Sequence, residues 1–136
     1  NPELDALLQY YAYEAERAGV RFTSRIETPV DHFAKSVDLT VVLGNLLENA
    51  VQAAGCCAGE RYADLRIGKV PGVCMIQVRN SYDGLIDERN GRFFSTKPNG
   101  MGMGLESVRL TAQRLHGECS VKHDGHVFTV RVSLPM

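Results

Sequence analysis

The 136-residue chain has no Trp, five Pro and four Cys, and each scarcity closes a route. Its formal charge of −1 leaves no basic field for nucleic acid and no acidic tail. No apolar run approaches the roughly 20 residues that cross a bilayer, and "NPELDALLQYY" lacks the basic-then-apolar layout of a secretory signal. The chain as given is therefore expected to be soluble. It opens without an initiator Met and enters a helical pattern at once, so it is expected to be cut from something longer. Cys56 and Cys57 are adjacent, which is not the CxxC spacing of a zinc or redox site, and with Cys74 and Cys119 they read as reduced, partly buried residues of a cytosolic protein. The P-loop pattern GxxxxGKS/T is missing, which excludes the commonest route to ATP. There are no repeats and no low-complexity linker, and 44% hydrophobic content suits one compact domain.

What is present begins with periodicity. Leu4, Leu7, Leu8, Tyr11, Ala12, Ala15 and Ala18 recur at helical spacing until Gly19, predicting a helix over residues 3 to 18. "VRFTSRIETP" alternates Val20, Phe22, Ser24 and Ile26 and reads as a strand ended near Pro29. A long helix follows to Gly55, with Ser36 or Asp38 as its cap. "RYADLRIGKV" and "VCMIQVRN" flank Pro71-Gly72 and read as a hairpin. From Ser81 to Gly104 the chain is rich in glycine and charge, a connection of functional or mobile length. Leu105, Val108, Ala112 and Leu115 mark a helix closed by Gly117, and a last hairpin turns around Asp124-Gly125. This order predicts a mixed sheet with its helices on one face.

Two features carry chemistry. In "LTVVLGNLLENAVQAA" the apolar residues fill one broad side, while Asn45, Glu48, Asn49 and Gln52 fill the other. An ordinary helix of this kind presents a solvated face, but Asn is a poor helix former, seldom used twice one turn apart without a task. Asn45 and Asn49 put amide oxygens on one edge. Such oxygens suit Mg²⁺, which keeps waters and takes its remaining ligands from substrate phosphates. In "STKPNGMGMGLESV", Gly100, Gly102 and Gly104 precede a helix start, where free N–H groups and the dipole favour an anion. A magnesium nucleotide satisfies both features. The run is GxGxG after a polar loop, not the GxGxxG after a strand of a dinucleotide site.

With these residues in place the chain resembles the GHKL superfamily, in particular the catalytic and ATP-binding domain of sensor histidine kinases. "NLLENA" at 45 to 50 resembles the N-box, "RFFSTK" at 92 to 97 the F-box and "GMGMGLESV" at 100 to 108 the G2 box, in family order across residues 1 to 136. "NPELDALL" and "VRNSYDG" are most similar to the peptide-pheromone-sensing, or quorum-sensing, subgroup. The resemblance implies one α/β two-layer sandwich of Bergerat type over 1–136, with a mixed, mainly antiparallel sheet and helices on one face. It implies an ATP lid at about 84–104, Asn49 as the Mg²⁺ ligand and Asn45 orienting the phosphate end.

The nucleotide-binding set implied by the resemblance is Asn45, Asn49, Gln52, Asn80, Ser81, Asp83, Thr96, Lys97, Gly100, Met101, Gly102, Met103, Gly104 and Leu105, with Asn45, Asn49 and Lys97 catalytic. Lys97 is either a partner of the γ-phosphate or a solvated lysine of the loop. One of Phe93 and Phe94 is expected to anchor the lid in the core, and the other to pack on the partner helical domain. Two departures stand out. The family's DxGxG has no Asp: aligned on "VRN" that position falls at Ser81, leaving Asn80, Ser81 or a shifted Asp83 to read adenine. Gln52 stands where many kinases carry a lysine.

The implied function is a protein histidine kinase domain that binds Mg-ATP and passes the γ-phosphate to a histidine. None of the chain's own His32, His116, His123 and His126 is expected to be the acceptor. It should lie on a phosphoacceptor domain of the same full-length protein, with a response regulator downstream and dimerisation only at full length. The chain would be the cytoplasmic portion of a membrane-bound sensor. The alternatives are a catalytically lapsed nucleotide-binding or scaffolding module, and an ATPase with a glutamate base. The ATPase is disfavoured because that glutamate would occupy the position of Asn45.

Overall fold

The computed structural model describes residues 2–27, 36–84, 87–89, 92–94 and 103–135. Helix α1 (Pro2–Arg17) leads into β1 (Arg21–Ile26), α2 (Ser36–Gly55), the hairpin β2 (Tyr62–Val70) and β3 (Val73–Ser81), and the short strands β4 (Asp87–Arg89) and β5 (Arg92–Phe94). Then come α3 (Met103–Arg114), β6 (Glu118–Asp124) and β7 (Val127–Pro135). The main sheet runs β1-β2-β3-β7-β6, with β1 parallel to β2 and every other neighbour antiparallel. This is the mixed, mainly antiparallel sheet that the element order predicts.

Alternation in the strands fixes the layers. Ala63, Leu65 and Ile67 of β2, Cys74, Ile76 and Val78 of β3, and Phe128, Val130, Val132 and Leu134 of β7 are all buried on one face. Leu39, Val42, Leu43, Leu46, Leu47, Ala50 and Ala54 of α2 cover them, with Val108 and Ala112 of α3 and Leu4 and Ala15 of α1 alongside. The opposite face is polar and solvated, as antiparallel sheets permit. There Arg131 donates to Gln77 at 2.7 Å and Thr23 to Asp64 at 2.6 Å. β1 keeps the expected alternation, but its inward residues are little covered: only Phe22 is half-buried and Ile26 is 40% exposed. No helix among the described residues is long and apolar enough to cross a membrane.

The helix ends explain where the chain turns. α1 closes with Gly19 in the left-handed region (φ 69°), its N–H bonded to Glu16 O while Val20 N–H reaches Ala15 O. That pair of bonds is a Schellman motif with glycine where it is normally found. Arg61 then ties two helix ends together, donating to Ala18 O at 2.9 Å and Cys57 O at 2.8 Å. Both acceptors lie at the negative end of a helix dipole, so one guanidinium serves α1 and α2 together.

Three expectations need correction. α2 already includes Ser36, and Asp38 does not cap it: its buried carboxylate accepts from Arg114 Nη2 at 2.5 Å, binding the start of α2 to the end of α3. Within the glycine-rich connection β4 and β5 pair. At the end of α3 the left-handed residue is His116 (φ 64°), one position before the expected Gly117. Finally, Asp124 pairs with Val127, so the last turn consists of Gly125 (φ 59°) and His126.

The cysteines are free, as expected from their spacing. Burial pushes the thiols of Cys74 and Cys119 up to about 11, which keeps them protonated and unreactive at neutral pH.

Candidate nucleotide site

The polar side of α2 meets the start of α3. Asn45 Nδ2 donates to Val41 O one turn back at 2.8 Å, which fixes the amide and leaves Oδ1 directed at Gly104. A β-carbon on Gly104 would stand 3.3 Å from that oxygen and 3.7 Å from Asn45 Cβ. Glycine at the second residue of α3 therefore lets the helix end close onto the Asn45 face. The first N–H groups of α3 have no partners within the helix and lie at the positive end of its dipole, beside the neutral amide of Asn45. Asn49 is half-buried one turn further along α2. Leu105, also half-buried, packs against the core.

Gln52 and Glu48 belong to the neighbouring groove between α1 and α2. Gln52 Nε2 donates to Glu48 Oε1 at 3.2 Å, and both line a hollow of about 470 Å³ with Tyr10, Tyr11, Glu14 and Cys56. Removal from water, with Glu48 and Glu14 close by, pushes the Tyr11 hydroxyl up to about 12. Glu48 thus has a hydrogen-bonded place on the helix surface, in line with its reading as a surface carboxylate.

The three candidates for reading the base lie at the end of β3 and have different surroundings. Ser81 is 5% exposed, and its hydroxyl accepts from Tyr62 N–H at 3.0 Å and lies 3.4 Å from Tyr62 O. That hydroxyl completes the ladder where β2 begins. Tyr82 turns into the core edge-on to Phe128, 5.7 Å between centroids, and its N–H bonds His126 O at 3.1 Å. Asp83 is exposed beside it and, with Asp124 and burial, raises the Tyr82 hydroxyl. Asn80 differs from all three. It follows Cys74, Ile76 and Val78 on the helix-facing side of β3, is 2% exposed, and donates to Ser81 O at 2.9 Å. The carboxamide oxygen stays on the α2 side of the sheet. The two-residue alternation of β3 puts Asn80 and Ser81 on opposite sides of the strand.

Of the other predicted site residues, Thr96, Lys97, Gly100, Met101 and Gly102 lie outside the described residues. Met103 opens α3. β5, which carries Phe93 and Phe94, contacts α3. Sequence reasoning missed the Asp38–Arg114 pair, whose partners lie 76 residues apart.

The donor set bears on which ions fit. Among the described residues no group of three or more His, Cys, Asp or Glu could hold a metal. Two amide oxygens are too few for a hard cation by themselves, but they suit Mg²⁺ that arrives with phosphate oxygens and waters. The helix start suits the phosphates.

Residues 34–135 match the family described as the GHKL domain. The chain belongs to that family. Over 106 residues this GHKL chain is 34% identical to the C4-dicarboxylate transport sensor protein DctS of Rhodobacter capsulatus, a match covering 69% of the chain but 16% of DctS. Its fold is that of histidine kinase catalytic domains. The catalytic domain of histidine kinase ThkA superposes with a TM-score of 0.76 at 18% identity, covering 99% of this chain and 91% of that one. Acinetobacter baumannii histidine kinase AdeS gives 0.77 at 15% identity, over 99% of this chain and 64% of AdeS. Full-length ShkA, solved in complex with AMPPNP, gives 0.76 at 18% identity, over 98% and 29%.

Proposed function

We propose that this GHKL chain is the ATP-binding catalytic domain of a sensor histidine kinase. The observation that carries the reading is the closure of Gly104 onto Asn45, which sets the N-terminus of α3 against the Asn45 side of α2. In this reading Asn49 ligates Mg²⁺, and Asn45, held by Val41 O, orients the phosphate end. The backbone of Gly100, Met101, Gly102, Met103, Gly104 and Leu105 cradles phosphate, with Thr96 and Lys97 from the lid. Adenine is read by Asn80. Ser81 keeps its hydroxyl on Tyr62, while Asp83 and Gln52 lie at the rim.

Bound Mg-ATP supplies the γ-phosphoryl group and the charge that neutralises it in transfer. The protein contributes positioning and oriented dipoles, which is most of what phosphoryl transfer asks. The acceptor histidine belongs to a separate domain of the full-length protein, and a response regulator takes the phosphoryl group next. His116 is bound up in a helix end, and His126 accepts from Tyr82 through its carbonyl. The similarity to DctS, a transport sensor, supports placing the domain on the cytoplasmic side of a membrane-bound sensor. Within the family, "VRNSYDG" favours the pheromone-sensing subgroup.

Calorimetric titration with ATP, with and without Mg²⁺, tests this. Magnesium-dependent binding is expected, weakened at least about tenfold in Asn49→Ala, as for a lost charge-linked ligand worth about 1.4 kcal/mol or more. Absence of any nucleotide binding in a folded wild-type chain overturns the reading and favours a lapsed module, for which the missing Asp of DxGxG is the motivating observation.

A further inference from the structure

β6 ends the sheet, and β7 is its one strand partner among the described residues. The groups it turns outward follow from the ladder. Tyr82 N–H bonds His126 O, so the even-numbered residues of β7 direct their peptide groups to β3 and the odd-numbered ones to β6. The odd-numbered residues Thr129, Arg131 and Ser133 pair with Lys122, Ser120 and Glu118. Hence the N–H and C=O groups of Cys119 and Val121 point away from the sheet. The side chains of Cys119 and Val121 are half-buried on the helix side, whereas Glu118, Ser120 and Lys122 stand on the open face.

Charges on an edge strand usually deter pairing. Here their order favours one register of a second copy over those centred on Val121 and Lys122. A two-fold axis perpendicular to the sheet keeps both faces continuous only if paired residues share a parity. Centred on Val121, it sets Glu118 against Asp124 at both ends; centred on Lys122, it sets that lysine against itself. Centred on Ser120, it sets Glu118 opposite Lys122 of the second copy, and Lys122 opposite Glu118. Those two places are non-hydrogen-bonded pairs, where side chains come closest. Between them Cys119 faces Val121 of the second copy, exchanging the free backbone bonds and covering both apolar side chains.

We propose that β6 pairs antiparallel with β6 of a second copy of this chain, centred on Ser120, joining two five-stranded sheets into one. The pairing is independent of nucleotide binding.

Amide exchange and sedimentation across a concentration series test it. Mass is expected to rise toward two chains, with slowed exchange at Cys119 and Val121 and none added at Ser120 and Lys122, already bonded to β7. Lys122→Glu reverses two cross-strand pairs at once and should weaken association about tenfold or more, and adding Glu118→Lys should restore it. A single-chain mass at every concentration overturns the proposal. So does association that ignores the single reversal, or that the double swap leaves weak. The exchange pattern of the wild-type chain stands even if a variant folds poorly.

Discussion

The two ends of α3 both depend on a glycine in close contact, yet they serve different purposes. At the start, Gly104 meets the tip of a side chain, Asn45 Oδ1, at 3.3 Å for an added β-carbon. At the finish, Gly117 meets backbone: an added β-carbon would fall 2.1 Å from Ser133 O and 2.8 Å from Leu134 Cδ2. A side-chain tip can move aside, whereas a carbonyl within the β3-β7-β6 ladder cannot. The N-terminal end is therefore the adjustable one, and the C-terminal end is fixed to the sheet. The bond between Arg114 and Asp38 strengthens the contrast, since it also anchors the C-terminal end to α2.

The harshest way to break this comparison is Gly117→Ala. Clash with fixed backbone should cost about 3 kcal/mol or more, at the upper end for overpacking. Chemical denaturation reads it directly. A loss below about 1 kcal/mol would mean that β7 yields, and that the two ends of α3 are alike after all.

Gly104→Ala should act on the other property. Asn45 needs to give by a few tenths of an ångström, so stability should fall by about 1 kcal/mol or less, within the range of tolerated small-to-large changes. Nucleotide affinity should drop about tenfold, because the displaced group is the one proposed to orient the phosphates. Parallel denaturation and ATP titration separate the two effects. A variant that loses stability but keeps its affinity would place the phosphates elsewhere.

How much of this was legible in the sequence depends on the range of the cause. α1, α2 and both hairpins follow from periodicity and turn residues, which are local, and so does Gly19 as a stop. The polar side of α2 that carries Asn45 and Asn49 was legible for the same reason. β4 and β5 were not legible, since three-residue strands have too few positions to show a period. The bond of Ser81 to the backbone of Tyr62, 19 residues away, was not legible either, because no local pattern contains it. Gly117 misled in a different manner. The rule that a glycine after a helix takes the left-handed position is conformational, but here glycine is required by Ser133, a contact 16 residues downstream in sequence that no local rule contains.

That conflict leaves a small cost at His116. Gly117 N–H bonds Ala112 O at 2.7 Å and His116 N–H bonds Gln113 O at 3.0 Å, so His116 occupies the left-handed position of a Schellman motif (φ 64°). At the end of α1 the same position belongs to Gly19. An L-residue there costs about 1–2 kcal/mol, partly offset because glycine loses more entropy on folding. His116→Gly should therefore stabilise the chain by about 0.5–1 kcal/mol, raising the denaturation midpoint with an unchanged slope and unchanged nucleotide affinity. A stabilised variant that also binds ATP differently would show that strain at the fixed end of α3 reaches the open one, and that the helix moves as a unit between them.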